Sequence, residues 1–576
     1  MTDELSTRRG ARPGLLPLVL AVALAVGMTW PLVLHLGSDI PQDTADPLFN
    51  AWHEAWIGHA LLHQPLELFQ ANRFWPEEDS LAFTDVNLGY APAGVVAAQG
   101  VHAALVVYNV LFLFAYALAF LGAFLLAREL GAPNLPAVVA GAAFAYAPYR
   151  LAQDGHLYVI SSGGIPLALF LLVRGYRRRS GRLVFAGWLV TTWQVTLGFT
   201  LGVPLVYVVL AVGAVLSVFW LRRGRPPLGT AVVGATAAGI CVLALVGFLQ
   251  ARPYFRVIDA HPKAQRTPEL VAFFSPPLKA FLAASQDSFL WSGPTSHVWN
   301  SLSVPGEQAL FPGAAILVLA GFGLVSPAYP AVLRLWLAAG TALCAVLSLG
   351  LRDESHVTRG FTPYRLLYEF GPGWDGFRTP GRVHTLTSLG LALLAAAGAA
   401  LILREVRSRP VIRKPFGTPA RRESAALLTA GLLTAFILLE GLGPTQHPRV
   451  PGVPLGQVGA PDPQLHLPTD DVNDNRYAYW SIVDFPKIAN GGGSITPSRL
   501  VRIRQIAASF PDTRSVAFLR DLGLRTVILH PDLAVGTPWQ GASQRPTAVP
   551  LVREDKGDVI LYHLEPAEEG APRPVP

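Results

Sequence analysis

The chain has 576 residues and a mass of 61.7 kDa, with 51% hydrophobic and only 14% charged residues. So few charges and a mean hydropathy of +0.39 exclude a water-soluble protein of this length, and the aromatic and aliphatic content excludes a disordered chain. The net charge of +7 does not indicate a nucleic-acid partner, because the basic residues fall in short loops between apolar segments. We therefore expect an α-helical polytopic membrane protein.

Apolar segments recur from the N-terminus to residue 440. A transmembrane helix needs about 20 mostly apolar residues. The segments that approach this length are 13–38, 101–127, 130–149, 157–173, 183–221, 226–251, 308–333, 335–351, 383–403 and 424–439. The first has too long an apolar core for a cleaved signal peptide, and 183–221 is long enough for two helices, so the expected total is about 11. The shorter segment 88–98 is predicted to be re-entrant or interfacial.

Basic residues set the expected orientation. They concentrate in segments 8–12, 174–182, 222–225 and 404–422, whereas the loop 37–100 has one arginine and nine acidic residues. Because cytoplasmic loops carry the excess of Lys and Arg, the N-terminus is predicted to be cytoplasmic. The loop 37–100 and the C-terminal residues are then extracytoplasmic.

Two domains are predicted. Residues 1–440 form the transmembrane domain, which includes the first extracytoplasmic loop, 37–100. Residues 441–576 form a small soluble α/β domain, in which the pattern predicts a helix over 515–522 and strands over 525–530 and 558–564. Asn490-Gly-Gly-Gly-Ser494 is typical of a loop.

The first loop carries the densest set of candidate functional residues. Pro47 suits the first turn of a helix, and Asp46 is predicted to be its N-cap. Apolar and aromatic residues then recur at helical spacing: Leu48, Trp52, Ala55, His59 and Leu62. This pattern predicts an amphipathic helix on the membrane surface, with Trp52 and Trp56 at the headgroup level. Asp46 either caps this helix only or also acts as a general base, and the two roles are compatible.

Further charged residues cluster at predicted outer helix ends. Arg150, Asp154 and His156 follow the segment 130–149, and Arg378 and Arg382 precede the segment 383–403. Arginines in such positions bind lipid headgroups or provide fixed, always-charged donors to a substrate phosphate.

Several short motifs occur in a distinctive order. They are Asp-Pro-Leu-Phe-Asn-Ala-Trp (46–52), Ala-Asn-Arg-Phe-Trp-Pro (71–76), Val-Tyr-Asn (107–109), Ala-Phe-Ala-Tyr-Ala-Pro-Tyr-Arg (143–150), Gly-His (155–156) and Phe-Arg-Thr-Pro-Gly-Arg (377–382). With one membrane helix before them and an outer domain after them, they resemble bacterial integral-membrane glycosyltransferases of the GT-C class, in particular the branch with a soluble C-terminal domain. The resemblance covers most of residues 13–400 and, more loosely, the C-terminal residues.

The resemblance implies a polyprenyl-phosphate-linked sugar as donor, transferred with inversion to an extracytoplasmic acceptor. It implies that Asp46 activates the acceptor hydroxyl, that Arg150, Arg378 and Arg382 hold the donor phosphate, and that Asp154 and His156 line the substrate site. Some members of the class use a divalent metal such as Mg or Mn and others do not. The chain has Asp46-Pro47 where Asp-Glu is commoner, so the nearby acids remain alternative or supporting candidates: Asp39, Asp43 and Asp85.

Two other functions fit a membrane protein of this kind. A transporter or flippase of lipid-linked substrates usually has ionisable residues within the membrane, whereas the predicted helices have none at mid-depth and Glu440 lies at a helix end. A non-catalytic envelope scaffold would bind polymers through the C-terminal domain. Loss of activity in Asp46→Asn would separate an enzyme from a scaffold, and substrate movement that persists in that variant would favour a flippase.

Overall fold

The computed structural model describes residues 14–224, 228–262, 265–351, 362–408, 419–444, 446–546 and 551–564. The chain forms two compact units. We call residues 1–34, 111–246 and 266–445 the helical unit, and residues 35–110, 247–265 and 446–576 the mixed unit, because the latter contains the β-sheet. In this grouping most of the first loop belongs with the C-terminal residues, and the predicted domain boundary at residue 440 stays a prediction.

The described residues form 22 α-helices. In chain order they are α1 (Leu16–Met28), α2 (Asp46–His63), α3 (Ala91–Ala97), α4 (Val101–Leu130), α5 (Asn134–Ala145), α6 (Pro148–Leu151), α7 (Leu157–Ile160), α8 (Gly164–Arg178), α9 (Gly181–Thr196), α10 (Phe199–Arg222), α11 (Thr230–Ala260), α12 (Pro268–Phe274), α13 (Ser292–Trp299), α14 (Pro305–Gln308), α15 (Ala314–Val325), α16 (Ala331–Ser348), α17 (Pro363–Phe370), α18 (His384–Ser408), α19 (Pro419–Glu440), α20 (Asp471–Trp480), α21 (Ser498–Ala507) and α22 (Thr513–Asp521).

Seven helical stretches in the described ranges are long and apolar enough to cross a membrane. They are Val101–Leu130, Leu157–Arg178, Phe199–Arg222, Thr230–Ala260, Ala331–Ser348, Pro380–Ser408 and Ala420–Glu440. The predicted α-helical membrane fold is confirmed, and the total of about 11 spans stays a prediction. The segment 183–221 is divided as expected, between α9 and α10, at Gly198, whose φ of 149° would strain a residue with a side chain.

Small residues let α15 and α18 pack closely in the helical unit. A Cβ atom on Gly323 would lie 2.0 Å from the carbonyl oxygen of Leu394, and one on Gly398 would lie 1.9 Å from that of Leu319. Such close backbone approach is the usual basis of helix association in membranes, where lipid removes the hydrophobic driving force. The packing fixes the position of α18, directly after the turn that carries Arg382.

Glu440 has a structural role at the end of α19. Its carboxylate accepts hydrogen bonds from the backbone N–H groups of Ala314 and Ala315, both at 2.9 Å, and from Nε1 of Trp291 at 3.1 Å. The first N–H groups of a helix have no partner within it. Glu440 therefore caps α15 from another helix.

The mixed unit contains a four-stranded sheet with the order β1-β2-β4-β3: β1 (Gln464–Leu467), β2 (Thr526–Leu529), β3 (Val552–Asp555) and β4 (Ile560–His563). Strand β1 is parallel to β2, while β4 is antiparallel to both β2 and β3. Alternate strand residues and the apolar faces of α21 and α22 form one core, which includes Leu465, Val527, Tyr562, Ile503 and Leu519. The predicted α/β character of the C-terminal residues is thus confirmed, with each predicted element present within a few residues.

The first loop packs into the same unit. Helices α2 and α3 meet where a Cβ atom on Gly58 would lie 1.9 Å from the carbonyl oxygen of Gly94. The apolar stretch Leu88–Ala97 rises too little to cross a hydrocarbon core of about 30 Å. This favours the re-entrant or interfacial interpretation of that stretch over a full span.

Candidate active site

Helix α2 begins at Asp46, with Pro47 in its first turn. The residue in the cap position is Ala45, and its N–H donates to the Asp43 carboxylate at 2.8 Å. The prediction that Asp46 is the N-cap is therefore wrong, because the turn closed by Asp43 ends at Ala45, one residue before Asp46. Asp46 becomes the first helical residue, and its side chain is exposed although the residues from Pro47 to Gly58 are buried.

The aromatic face of α2 lies inside the protein. Nε1 of Trp52 donates to Oδ1 of Asn72 at 3.1 Å, and Nε1 of Trp56 donates to the carbonyl of Leu68 at 3.0 Å. The ring of Phe485, from the C-terminal residues, meets that of Trp56 edge-on, with the ring centres 5.7 Å apart. Protein therefore covers Trp52 and Trp56, and their position at the headgroup level stays a prediction.

The other candidate acids also belong to the mixed unit but have different surroundings. Asp39 forms a backbone bridge with Arg449, and its carbonyl accepts from Nδ2 of Asn109 at 2.8 Å. Asp85 is half-buried just before the turn Leu88–Tyr90. Of the four acids, Asp43 and Asp46 are the exposed ones, and Asp43 is already engaged with the backbone of its own turn.

A buried ion pair dominates the charged residues of the helical unit. The guanidinium of Arg382 donates to Glu307 through Nη2 (2.6 Å to Oε1) and Nε (3.2 Å to Oε2). Its Nη1 donates to the hydroxyl of Tyr158 at 2.6 Å. Nε2 of His156 lies 3.6 Å from Oε1 of Glu307. The structure thus joins Arg382 to His156 through an acid that the sequence analysis did not single out.

The charge state of Glu307 follows from its neighbours. Burial by itself raises the pKa of its carboxyl group, but the positive charges of Arg382, His156 and Arg378 outweigh burial, so the pKa lies below its ordinary value. Arg378 is half-buried, with its guanidinium carbon 4.5 Å from the ring centre of Phe274. The one signal in the sequence for Glu307 was its place directly before the apolar segment 308–333.

Arg150 and Asp154 form a second charged group in the helical unit. Nη1 of Arg150 donates to Oγ of Ser162 at 2.8 Å, and Nη2 donates to the carbonyl of Ile160 at 2.7 Å. Arg150 and Asp154 line a small cavity with Tyr116 and Tyr146. Both charged side chains are buried, and burial lowers the pKa of Arg150.

A divalent metal held by the protein alone would need a group of His, Cys, Asp or Glu side chains among the described residues. Among them there is no group of three or more His, Cys, Asp or Glu side chains that could hold a metal ion. Divalent cations such as Mg²⁺ bind through several oxygen ligands. The divalent metal that the resemblance allows stays a prediction.

No protein-family model and no curated protein matches the sequence. The structure is similar to that of the arabinofuranosyltransferase AftD from mycobacteria, with a TM-score of 0.58 and 16% identity over 96% of this chain and 40% of that chain. A mutant of AftD gives a TM-score of 0.57 and 15% identity, over 97% of this chain and 42% of that one. The chain thus spans less than half the length of AftD. The oligosaccharyltransferase of Archaeoglobus fulgidus, with a TM-score of 0.42, is too distant to bear on the fold. The resemblance expected from the motifs is confirmed, and the fold of this chain is that of GT-C class membrane glycosyltransferases.

Proposed function

We propose that the protein is a membrane glycosyltransferase that moves a sugar from a polyprenyl-phosphate donor to an extracytoplasmic acceptor, a glycan, lipid or protein of the cell envelope. The observation that carries the proposal is the fold shared with an arabinofuranosyltransferase along 96% of the chain. Such a transfer needs a general base for the acceptor hydroxyl and a contact to the donor phosphate.

Asp46 is proposed as the base that takes the proton of the acceptor hydroxyl. Asp46 is exposed at the start of a helix whose residues 47–58 are buried, so packing holds the backbone beneath its carboxylate. A positioned base contributes about 10²–10⁴ to a rate. Asp43, whose carboxylate accepts from the N–H of Ala45, and the half-buried Asp39 are the alternative bases.

Arg378 is proposed as the contact to the donor phosphate. Its guanidinium is oriented by Phe274 but remains partly exposed, whereas Arg382 uses three N–H groups on Glu307 and Tyr158. Arg382 and the buried Arg150 are proposed to supply positive charge around the phosphate. His156 and Asp154 are proposed to line the substrate site beside these two arginines.

The test is turnover by the purified protein in lipid nanodiscs, with a panel of arabinofuranosyl and hexosyl polyprenyl phosphates. Asp46→Asn should fold normally and lose about 10²–10⁴ in turnover while still binding donor. Glu67→Gln, which changes another exposed acid of the same loop, is the matched control and should keep wild-type turnover.

Three results would contradict parts of the proposal. Wild-type turnover by Asp46→Asn, with loss in Asp43→Asn or Asp39→Asn, would move the base to that residue. Donor movement across vesicles that persists in Asp46→Asn, without transfer, would make the protein a flippase. A wild type that binds none of the donors would favour an envelope scaffold.

A further inference from the structure

Residues Asn72–Trp75, which we call the docking segment, pair with the C-terminal residues of the mixed unit through their backbone. The N–H of Ile488 donates to the carbonyl of Asn72 at 2.7 Å, and the N–H of Trp75 donates back to the carbonyl of Ile488 at 3.0 Å. Ile488 also forms a parallel bridge with Gln464 of β1. The docking segment is thereby attached to the edge of the sheet.

Side chains strengthen this attachment. Nδ2 of Asn72 donates to Oγ of Ser481 at 2.9 Å and to the carbonyl of Pro486 at 2.8 Å. Nη1 of Arg73 donates to the carbonyl of Gly492. A Cβ atom on Gly491 would lie 2.5 Å from the ring of Phe74, so this position admits only glycine without displacing the docking segment.

The glycine loop is itself fixed to α20 by a buried carboxylate. Asp474 accepts from Nδ2 of Asn490 at 2.8 Å, from the N–H of Gly491 at 3.2 Å and from Nη2 of Arg504 at 2.8 Å. Asn490 in turn bonds both the N–H and the carbonyl of His466 on β1. The loop that receives Arg73 is therefore held rigidly.

The docking segment also contacts α2, on the face next to Asp46. The guanidinium of Arg73 lies 4.3 Å from the ring centre of Phe49 and 4.6 Å from that of Trp52, and Oδ1 of Asn72 accepts from Nε1 of Trp52. Phe49 is three residues after Asp46, one helical turn along the same side. Arg73 thus lies between the helix that carries the proposed base and the loop at Gly492.

Packing alone does not explain an arginine at this place. Its side chain is fully buried, and burial lowers its pKa to about 9. An apolar residue of similar volume would avoid that cost of desolvation. A guanidinium that lies over two rings and donates to a carbonyl instead fixes one arrangement of α2 relative to the loop at Gly492.

We propose that the C-terminal residues of the mixed unit position helix α2, and with it Asp46, through the docking segment, and that Arg73 is the positioning residue. The proposal rests on the proposed function only in treating Asp46 as the base. It assigns a role to the C-terminal residues that does not require them to bind substrate.

The first experiment is hydrogen exchange on the full-length protein in nanodiscs, comparing wild type with Arg73→Met and with Arg502→Met. Arg502 is an exposed arginine on α21 that also stacks on a ring, that of Phe518, and it is the matched control. Arg73→Met should raise exchange of the α2 amides about tenfold, as loss of a buried cation–π contact allows. Exchange in β1 and β2 should stay as in wild type, and Arg502→Met should leave α2 unchanged.

The second experiment is turnover. Arg73→Met should lower kcat with little change in KM for the donor, Arg73→Lys should restore part of it, and Arg73→Met should cause no further loss in the Asp46→Asn background. An unchanged α2 exchange pattern in folded Arg73→Met, or a full additional loss in the double variant, would overturn the proposal.

Gly491→Ala provides a second variant if Arg73→Met fails to fold. It pushes on Phe74 without removing any hydrogen-bonding group, and it should raise α2 exchange in the same way. Unchanged α2 exchange in this variant would also overturn the proposal. The exchange measurements need no substrate, so a wild type that transfers no sugar refutes the proposed function while positioning of the helix is still tested.

Discussion

The ion pair between Glu307 and Arg382 predicts a large difference between single and double substitutions. At about 3 Å and an effective dielectric constant of about 20, two opposite unit charges attract by about 5–6 kcal/mol. Removing each ion from water costs several kcal/mol, so the pair as a whole contributes little net stability. Removal of one partner leaves the other charge buried, with side chains only 7% and 10% exposed in the native pair.

We therefore expect Arg382→Met or Glu307→Leu alone to lower the free energy of unfolding by about 3–5 kcal/mol. The double variant should lie within about 1 kcal/mol of wild type, because both buried charges are gone. Arg365→Met is the control, since Arg365 pairs with Glu369 one turn away on α17 with both side chains about a third exposed. That variant should lose no more than about 0.5 kcal/mol.

The assay is chemical unfolding of all four variants in one detergent, followed by tryptophan fluorescence. If Arg382→Met loses no more stability than Arg365→Met, Glu307 is solvated or neutralised at no cost, and the argument from burial is refuted. If the stability lost by the double variant equals the sum of the two single losses, the ion pair contributes net stability. Removing the two ions from water then costs less than this reasoning assumes.

Three other substitutions test separate parts of the structure. Burial raises the pKa of Glu54 to about 8, so the folded protein keeps a proton that the unfolded chain loses near pH 4.5. The free energy of unfolding therefore falls as pH rises between these two values. Glu54→Gln should remove this dependence, which amounts to at most about 1.4 kcal/mol per pH unit and is measured as the change of Tm with pH. Glu440→Ala leaves two N–H groups of α15 and one of Trp291 without their acceptor, and thermal unfolding should show a loss of about 3 kcal/mol or more. Gly323→Ala should lower Tm because its Cβ would meet the backbone of Leu394, whereas Gly321→Ala, which meets nothing within 4 Å, should leave Tm unchanged or slightly higher.

The parts of the fold that the sequence predicts are those with a local physical cause. Apolar length identifies most of the long helices, and the break at Gly198 follows from a segment too long for one span. The strands β2 and β4 show as short apolar runs between turn residues. Each of these features depends on residues close together in the chain.

The candidate site is less predictable because its partners come from distant segments. Helical spacing correctly identifies an apolar face on α2, but nothing local shows whether lipid or protein covers that face. Asn72, Arg73 and Phe485 provide the cover. Glu307 escapes notice for the same reason, since its role depends on Arg382, 75 residues further along the chain.

The departure from the commoner Asp-Glu motif has a physical explanation in the position of α2. Residue 47 is buried, so a glutamate there would lose hydration, and its charge would need a buried partner. Proline needs no such partner and suits the first turn, where its missing N–H has no acceptor to lose. Asp46, one residue earlier, lies just outside the covered part of the helix. The Asp-Pro pair therefore keeps a single exposed acid at the start of a rigid helix, as a lone general base would require.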